Sequence, residues 1–121
     1  MLNCIAVGLG GFLGSVCRYL VGLIPIKAGN GFPVNTLIIN VAGAFVLSLV
    51  ASLAAQKTGI SPRTVLFLKV GVCGGFTTFS TFAYEATNLI TGGAPGMGIL
   101  YVVLSAVLGV LAVICAQLMV G

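Results

Sequence analysis

The chain has 121 residues, 60% of them hydrophobic, and only six carry charge: Arg18, Lys27, Lys57, Arg63, Lys69 and Glu85. A soluble domain uses about a quarter of its residues as charges to keep a water-compatible surface, so this composition excludes a soluble globular protein. The net charge of +4 is no nucleic-acid signal, because the basic residues stand singly, without the clustering that follows a phosphate backbone.

The first apolar stretch covers residues 2–24 and stops at Pro25. It reaches the roughly 20 residues an α-helix needs to cross the hydrocarbon core. It lacks a basic n-region and outruns the apolar region of a signal peptide, so it reads as a retained membrane helix. Gly10, Gly11 and Gly14 lie within it, spaced to let another backbone approach closely in lipid. A Gly-rich connection leads to the second stretch, residues 34–55, which carries Asn40 in an otherwise apolar setting. An amide at membrane depth is costly unless it meets a partner or a wet cavity. Interhelical glue and a pore-lining donor both fit.

The third stretch, residues 63–90, differs from the others. Its middle holds Gly74 and Gly75 side by side, then Phe76, Thr77, Thr78, Phe79, Ser80, Thr81 and Phe82. Adjacent glycines weaken a helix, and a break at mid-membrane frees backbone groups that protein, water or an ion must satisfy. Broken membrane helices recurrently set carbonyls against cations and donors against anions. Phe79 and Phe82 share a helix face, with the Ser80 and Thr81 hydroxyls beside them. Positive ring edges and hydroxyl donors suit a small anion. The same pattern fits phenylalanines packed in lipid or core, with hydroxyls bonded back to the preceding turn. A Gly/Pro-rich turn then leads to the fourth stretch, residues 97–120, with Tyr101 and Ser105 near its start.

Short connections make neighbouring spans antiparallel and put both termini on one side. That side bears Lys57, Arg63 and Lys69, against Lys27 and Arg18 opposite. A balance so even permits insertion in both orientations, hence antiparallel pairing of two copies. Four helices of this size enclose no watery pore, so a pathway has to run along surfaces shared between subunits. Cys4, Cys17, Cys73 and Cys115 form no CxxC pair, and there is no histidine, so they read as small hydrophobes rather than metal ligands. An enzyme is not expected, since there is no histidine, carboxylate pair or nucleophile–base set.

Three segments together, Gly10-Gly11-Phe12-Leu13-Gly14-Ser15-Val16-Cys17-Arg18-Tyr19, Asn40-Val41-Ala42-Gly43, and Gly74-Gly75-Phe76-Thr77-Thr78-Phe79-Ser80-Thr81-Phe82 followed by Glu85, resemble the Fluc (CrcB) fluoride channels. The resemblance covers the chain in length, span count and motif order. It implies an all-α membrane protein with a broken third helix, multi-pass in the plasma or inner membrane. It further implies a dual-topology antiparallel dimer, made with a second copy or an oppositely oriented relative, that lets fluoride leave the cytoplasm passively. A structural sodium ion at the dimer centre would be held by the main-chain carbonyls of Gly74 and Thr77. Phe79 and Phe82 would flank the fluoride path, Asn40 would be its pore asparagine, and Ser80, Thr81, Tyr101 and Ser105 would supply hydroxyls along it. Arg18 either builds an electropositive vestibule or plays a structural role at a helix end, and the structural role is expected. For Glu85 a stabilising partner is expected, such as a basic residue of the other subunit. The alternative is a small multidrug-type proton-coupled exporter. Such exporters carry a glutamate in the first helix, and here that span has no acid.

Overall fold

The structure, a computed structural model, describes residues 1–26, 29–56 and 59–121. Lys27 and Lys57, two of the charges used in the orientation count, lie outside the described residues. All regular structure among the described residues is helical, and four segments are long and apolar enough to cross a membrane. The first is α1 (Leu2–Gly22) and the second α2 (Val34–Gln56). The third span, Pro62–Thr91, is composite. It opens with α3 (Pro62–Val65), continues as a π-helical segment (Leu66–Cys73) and a last turn α4 (Gly74–Phe76), breaks at Thr77 and Thr78, and resumes as α5 (Phe79–Thr91). The fourth is α6 (Pro95–Val120).

Local chemistry sets the ends. Pro62 and Pro95 occupy first-turn positions of α3 and α6, where their missing N–H costs nothing. Ser61 caps α3 by accepting from the Arg63 amide at 3.2 Å. At the end of α1, the Asn35 amide nitrogen donates to the carbonyls of Val21, Gly22 and Ile24 at 3.1, 3.4 and 2.9 Å. One side chain at the start of α2 thus adds a donor to the carbonyls at the end of α1, where Val21 and Ile24 already accept from the Ile24 and Ile26 amides and Gly22 does not. The tight turn before α6 places Gly93 at a φ of 98°, a conformation glycine adopts without the penalty a Cβ would bring.

The helices pack as two pairs joined at the break. α1 lies along the π-helical segment and α4, α2 lies mainly along α6, and α5 crosses to α6 after the break. The first pairing is a backbone-to-backbone seam. A Cβ on Gly10 would stand 2.9 Å from the Gly71 Cα, and one on Gly71 would stand 2.8 Å from the Gly10 Cα. A Cβ on Gly14 would stand 2.8 Å from the Phe76 amide, and one on Gly75 would stand 2.7 Å from the Gly11 carbonyl oxygen. In lipid, where apolar side chains gain nothing by leaving the solvent, such close approach is what holds two helices together. On α2, Gly43 leaves room for Thr77 and Phe76, whose Cδ2 would lie 3.2 Å from an added Cβ.

Gly109 on α6 has open space where its Cβ would be. Gly10→Leu should therefore lower the unfolding free energy in detergent by about 3 kcal/mol or more, whereas Gly109→Ala should be neutral or slightly stabilising. Thermal unfolding of the two variants checks the contrast.

Candidate functional site

The site is built around the two residues where the third span stops being a helix. Thr77 and Thr78 are extended, with φ/ψ of −79°/155° and −146°/119°. In a continuous helix the Thr78 amide would bond the Gly74 carbonyl and the Thr81 amide would bond the Thr77 carbonyl. Neither does so. The Thr78 N–H donates to Asn40 Oδ1 at 2.8 Å, and Asn40 Nδ2 returns a bond to the Thr78 carbonyl at 3.0 Å. The Thr81 amide donates to Thr78 Oγ1 at 3.2 Å, which makes Thr78 the N-cap of α5. The carbonyls of Gly74 and Thr77 have thereby lost the amides that a helix would give them. The Gly75 carbonyl is taken instead by Arg18, whose Nε donates to it at 3.2 Å. Thr77 itself stays tied to the preceding turn, its amide and hydroxyl both donating to the Cys73 carbonyl at 3.0 and 2.9 Å.

Two cavities meet at Thr78. One, of about 550 Å³, is lined by Asn40, Thr77, Thr78, Phe79, Phe82 and Ser105 together with apolar residues of α2 and α6, and none of its lining residues is charged. Ser105 Oγ is buried there with no hydrogen-bond partner among the described residues. Asn40 uses one amide hydrogen on Thr78 and keeps a second. The other cavity, of about 350 Å³, is lined by Arg18, Asn35, Thr36, Thr78, Thr81 and Glu85, with Tyr19, Gly22, Leu23 and Ile39. A third, of about 450 Å³, continues from it past Asn35, Thr36 and Glu85 toward Pro25 and Pro33.

An aromatic row backs the site. Phe79 and Phe82 have ring centroids 5.9 Å apart, Phe82 meets Tyr101 edge-on at 5.1 Å, and Phe32 meets Tyr101 edge-on at 5.4 Å. Phe79 is 78% exposed and Tyr101 fully buried, so the row runs from an open face into the core. The Tyr101 hydroxyl donates to Glu85 Oε1 at 3.0 Å. The partner the structure gives Glu85 is therefore a tyrosine of its own chain.

Of the residues singled out from sequence, Asn40, Phe79, Phe82, Thr77 and Ser105 share one cavity, while Thr81, Arg18 and Glu85 share the next. Residues 81 and 82 are neighbours that look into different cavities, because successive helical positions point about 100° apart. Gly74 and Thr77 stand on the α4 side of the break. Tyr101 lies beneath Phe82 rather than along a cavity wall, and Ser80 is exposed, 3.4 Å from the Thr78 hydroxyl. Sequence reading passed over Asn35, Thr36 and Thr78 as separate contributors. Thr36 precedes Asn40 by one helical turn, a spacing that marks a common face, whereas the three carbonyls bonded by Asn35 leave no local sequence sign.

Residues 5–117 match the family described as CrcB-like protein, Camphor Resistance (CrcB). The chain is 46% identical over 114 residues to a fluoride-specific ion channel of Rhizobium meliloti, covering 93% of this chain and 91% of that protein. It is 47% identical over 92 residues to one of Chlorobium luteolum, covering 76% and 71%, and 39% identical over 118 residues to one of Clostridium perfringens, covering 97% and 92%.

Asn40→Ala should leave the Thr78 N–H and C=O without partners at membrane depth, a loss of about 1–3 kcal/mol. Hydrogen exchange should report it as a Thr78 amide that exchanges at least about tenfold faster while α6 amides keep their protection. Unchanged exchange at Thr78 would show that the break is held by something other than Asn40.

Proposed function

The chain belongs to the CrcB-like family, and on that premise we propose that it is a fluoride-selective channel giving passive efflux of the ion from the cytoplasm. Support comes first from relatives that bear this name over most of the chain's length. The observation that carries the reading in this molecule is the uncharged cavity beside the break, whose lining brings Ser105, with an unpaired hydroxyl, and Asn40, with an amide hydrogen to spare, together with Phe79 and Phe82. Fluoride is small and strongly hydrated, so it leaves water only for a slot whose donors replace its shell. Hydroxyl and amide hydrogens do that directly, and ring edges add weaker attraction. A cationic side chain aimed into that cavity would bind the ion too tightly to let it pass. Arg18 stays out of this cavity, its guanidinium engaged by the Gly75 carbonyl. Thr81 and the outer residues Thr36 and Glu85 continue the polar lining beyond the break, while Ser80 stands exposed beside the Thr78 hydroxyl.

The protein works as a second copy paired with the first in antiparallel orientation, multi-pass in the plasma or inner membrane, and as a channel rather than an enzyme. Its exposed apolar surface, with Phe12, Leu118 and Met119 at 65, 76 and 71% exposure, faces lipid or that partner. A structural sodium ion fits the donors at the break. Among the described residues no cluster of His, Cys, Asp or Glu could hold a metal, but the Gly74 and Thr77 carbonyls have each lost a helical donor and suit a hard cation that takes oxygen ligands. The two carbonyls, with their counterparts from a second copy, would hold the ion. Bound there it supplies positive potential at the centre. The proton-coupled exporter is not favoured, since the first span carries no acid.

Liposomes containing the purified protein alone should release fluoride and retain chloride. Phe82→Ile and Phe79→Ile should each slow fluoride release by about tenfold or more, about 1.4 kcal/mol of barrier, with the assembly intact by size-exclusion chromatography. Fluoride release at the wild-type rate in both would remove the rings from the mechanism. Sodium should also stabilise the assembly against thermal dissociation, by about 2.7 kcal/mol at a hundredfold excess over its dissociation constant. Equal stability in N-methylglucamine and sodium salts would remove the ion from the structure.

A further inference from the structure

The span that carries the break also carries a lysine, and the channel reading above gives it no task. Lys69 sits in the π-helical segment, at an exposed position in a membrane-spanning stretch. An ionisable side chain there is costly unless it reaches the headgroups or faces a polar cavity. Lys69 lines a groove of about 330 Å³ between the end of α2, the π-helical segment and the end of α6. The other polar groups of that groove are Ser48, Ser52 and Gln117. The Ser48 hydroxyl is already spent on the Val113 carbonyl at 2.9 Å, so it joins the walls of the groove. Ser52, Gln117 and Lys69 are the polar residues left in its lining. The groove shares Leu47 and Val113 with the uncharged cavity beside the break, so the two lie end to end.

Charge placement gives this adjacency a direction. The chain has one acidic side chain, Glu85. It is bonded to Tyr101 and lines the cavities beyond the break rather than this groove. No carboxylate side chain of the subunit is therefore placed to neutralise Lys69. The Lys69 backbone lies about two helical turns before Thr77, on the order of 10 Å by helical rise, which keeps its charge apart from an ion held at the break.

Resting on the fluoride-channel reading, we propose that this groove is an antechamber for small hydrated monovalent anions. In it Lys69 raises the local anion concentration, and Ser52 and Gln117 keep the ion hydrated before it reaches Ser105 and Asn40. Clefts lined by one sign of charge concentrate counter-ions in this way, and the effect falls with ionic strength. The separation of tasks follows from chemistry. A flexible, strongly hydrated ammonium gathers ions at a distance, and neutral donors strip them nearer the centre.

The test is fluoride efflux from liposomes, followed with a fluoride electrode, for wild type, Lys69→Gln and Lys69→Arg over a range of ionic strength set with an impermeant salt. At about 10 mM, where charges act over roughly 30 Å, Lys69→Gln should be about threefold or more slower than wild type. At about 1 M, where they act over roughly 3 Å, the two should converge. Lys69→Arg should follow wild type throughout. Equal rates for wild type and Lys69→Gln at every ionic strength would overturn the antechamber while leaving the channel standing. A deficit in Lys69→Gln that persists undiminished at high salt, or that Lys69→Arg shares, would overturn it in favour of a structural role. Wild-type protein that releases no fluoride would overturn both readings.

Discussion

A helix that stops in the middle of a bilayer leaves amides and carbonyls with no water to receive them, and here the carboxamide of Asn40 meets both groups of one residue at once. It accepts from the Thr78 amide at 2.8 Å and donates to the Thr78 carbonyl at 3.0 Å, copying the pairing a neighbouring strand would make. With those bonds in place, Thr78 can be extended, and its own hydroxyl is free to cap α5. Without them, two polar groups would stand unpaired in a low-dielectric setting, at a cost that a small membrane protein has little stability to absorb. The position of the break, the direction of α5 and the meeting of two cavities at Thr78 all follow from this pair.

The first half of the third span needs a second support. Gly71 and Gly75 lie so close to Gly10 and Gly11 of α1 that a side chain on Gly71, Gly75 or Gly10 would collide with backbone, and Arg18 of α1 reaches across to the Gly75 carbonyl. Arg18 and Asn40 thus clamp the broken segment from opposite neighbours, one through Gly75 and the other through Thr78. The π-helical turns from Leu66 to Cys73 lead directly into the clamped region. Such turns are rare and gather at functional sites. Here they place Gly71 on the seam with α1 while Lys69 lines a groove against α2 and α6.

The break sorts polarity as well as direction. Carbonyls that have lost their amides, those of Gly74, Phe76 and Thr77, belong to the α4 side. The unspent donors, on Ser105 and Asn40, belong to residues that line the cavity shared with α6. Bare carbonyl oxygens and spare hydrogen-bond donors are thereby kept near one another at a cavity with no charged residue in its lining. The aromatic row from Phe79 to Tyr101 walls the donors on one side and ends at the Tyr101–Glu85 bond, so the chain's one acid is held by a partner of its own subunit.

Much of this was open to reading from the chain itself. Four apolar stretches, their ends at Pro25, Pro62 and Pro95, and a discontinuity after Gly74 and Gly75 are local properties, set by composition and by the conformational preferences of glycine, proline and threonine. The two glycines weakened the helix without deciding where it would end; two residues further on, Thr77 and Thr78 became the break because Asn40 lay opposite. Whether Asn40 was glue or pore donor could not be told from one helix, since the answer depends on a residue 38 positions away. The structure shows an amide that bonds the break and still has a hydrogen to spare. Likewise Arg18 found its acceptor 57 positions along the chain, and Thr81 and Phe82 parted into different cavities once α5 was docked on α6. Composition and short-range spacing decide which segments enter the membrane, because each residue meets lipid or water on its own. Which buried polar groups meet is decided only when helices distant in sequence are packed side by side, because at that depth the protein has to supply every partner.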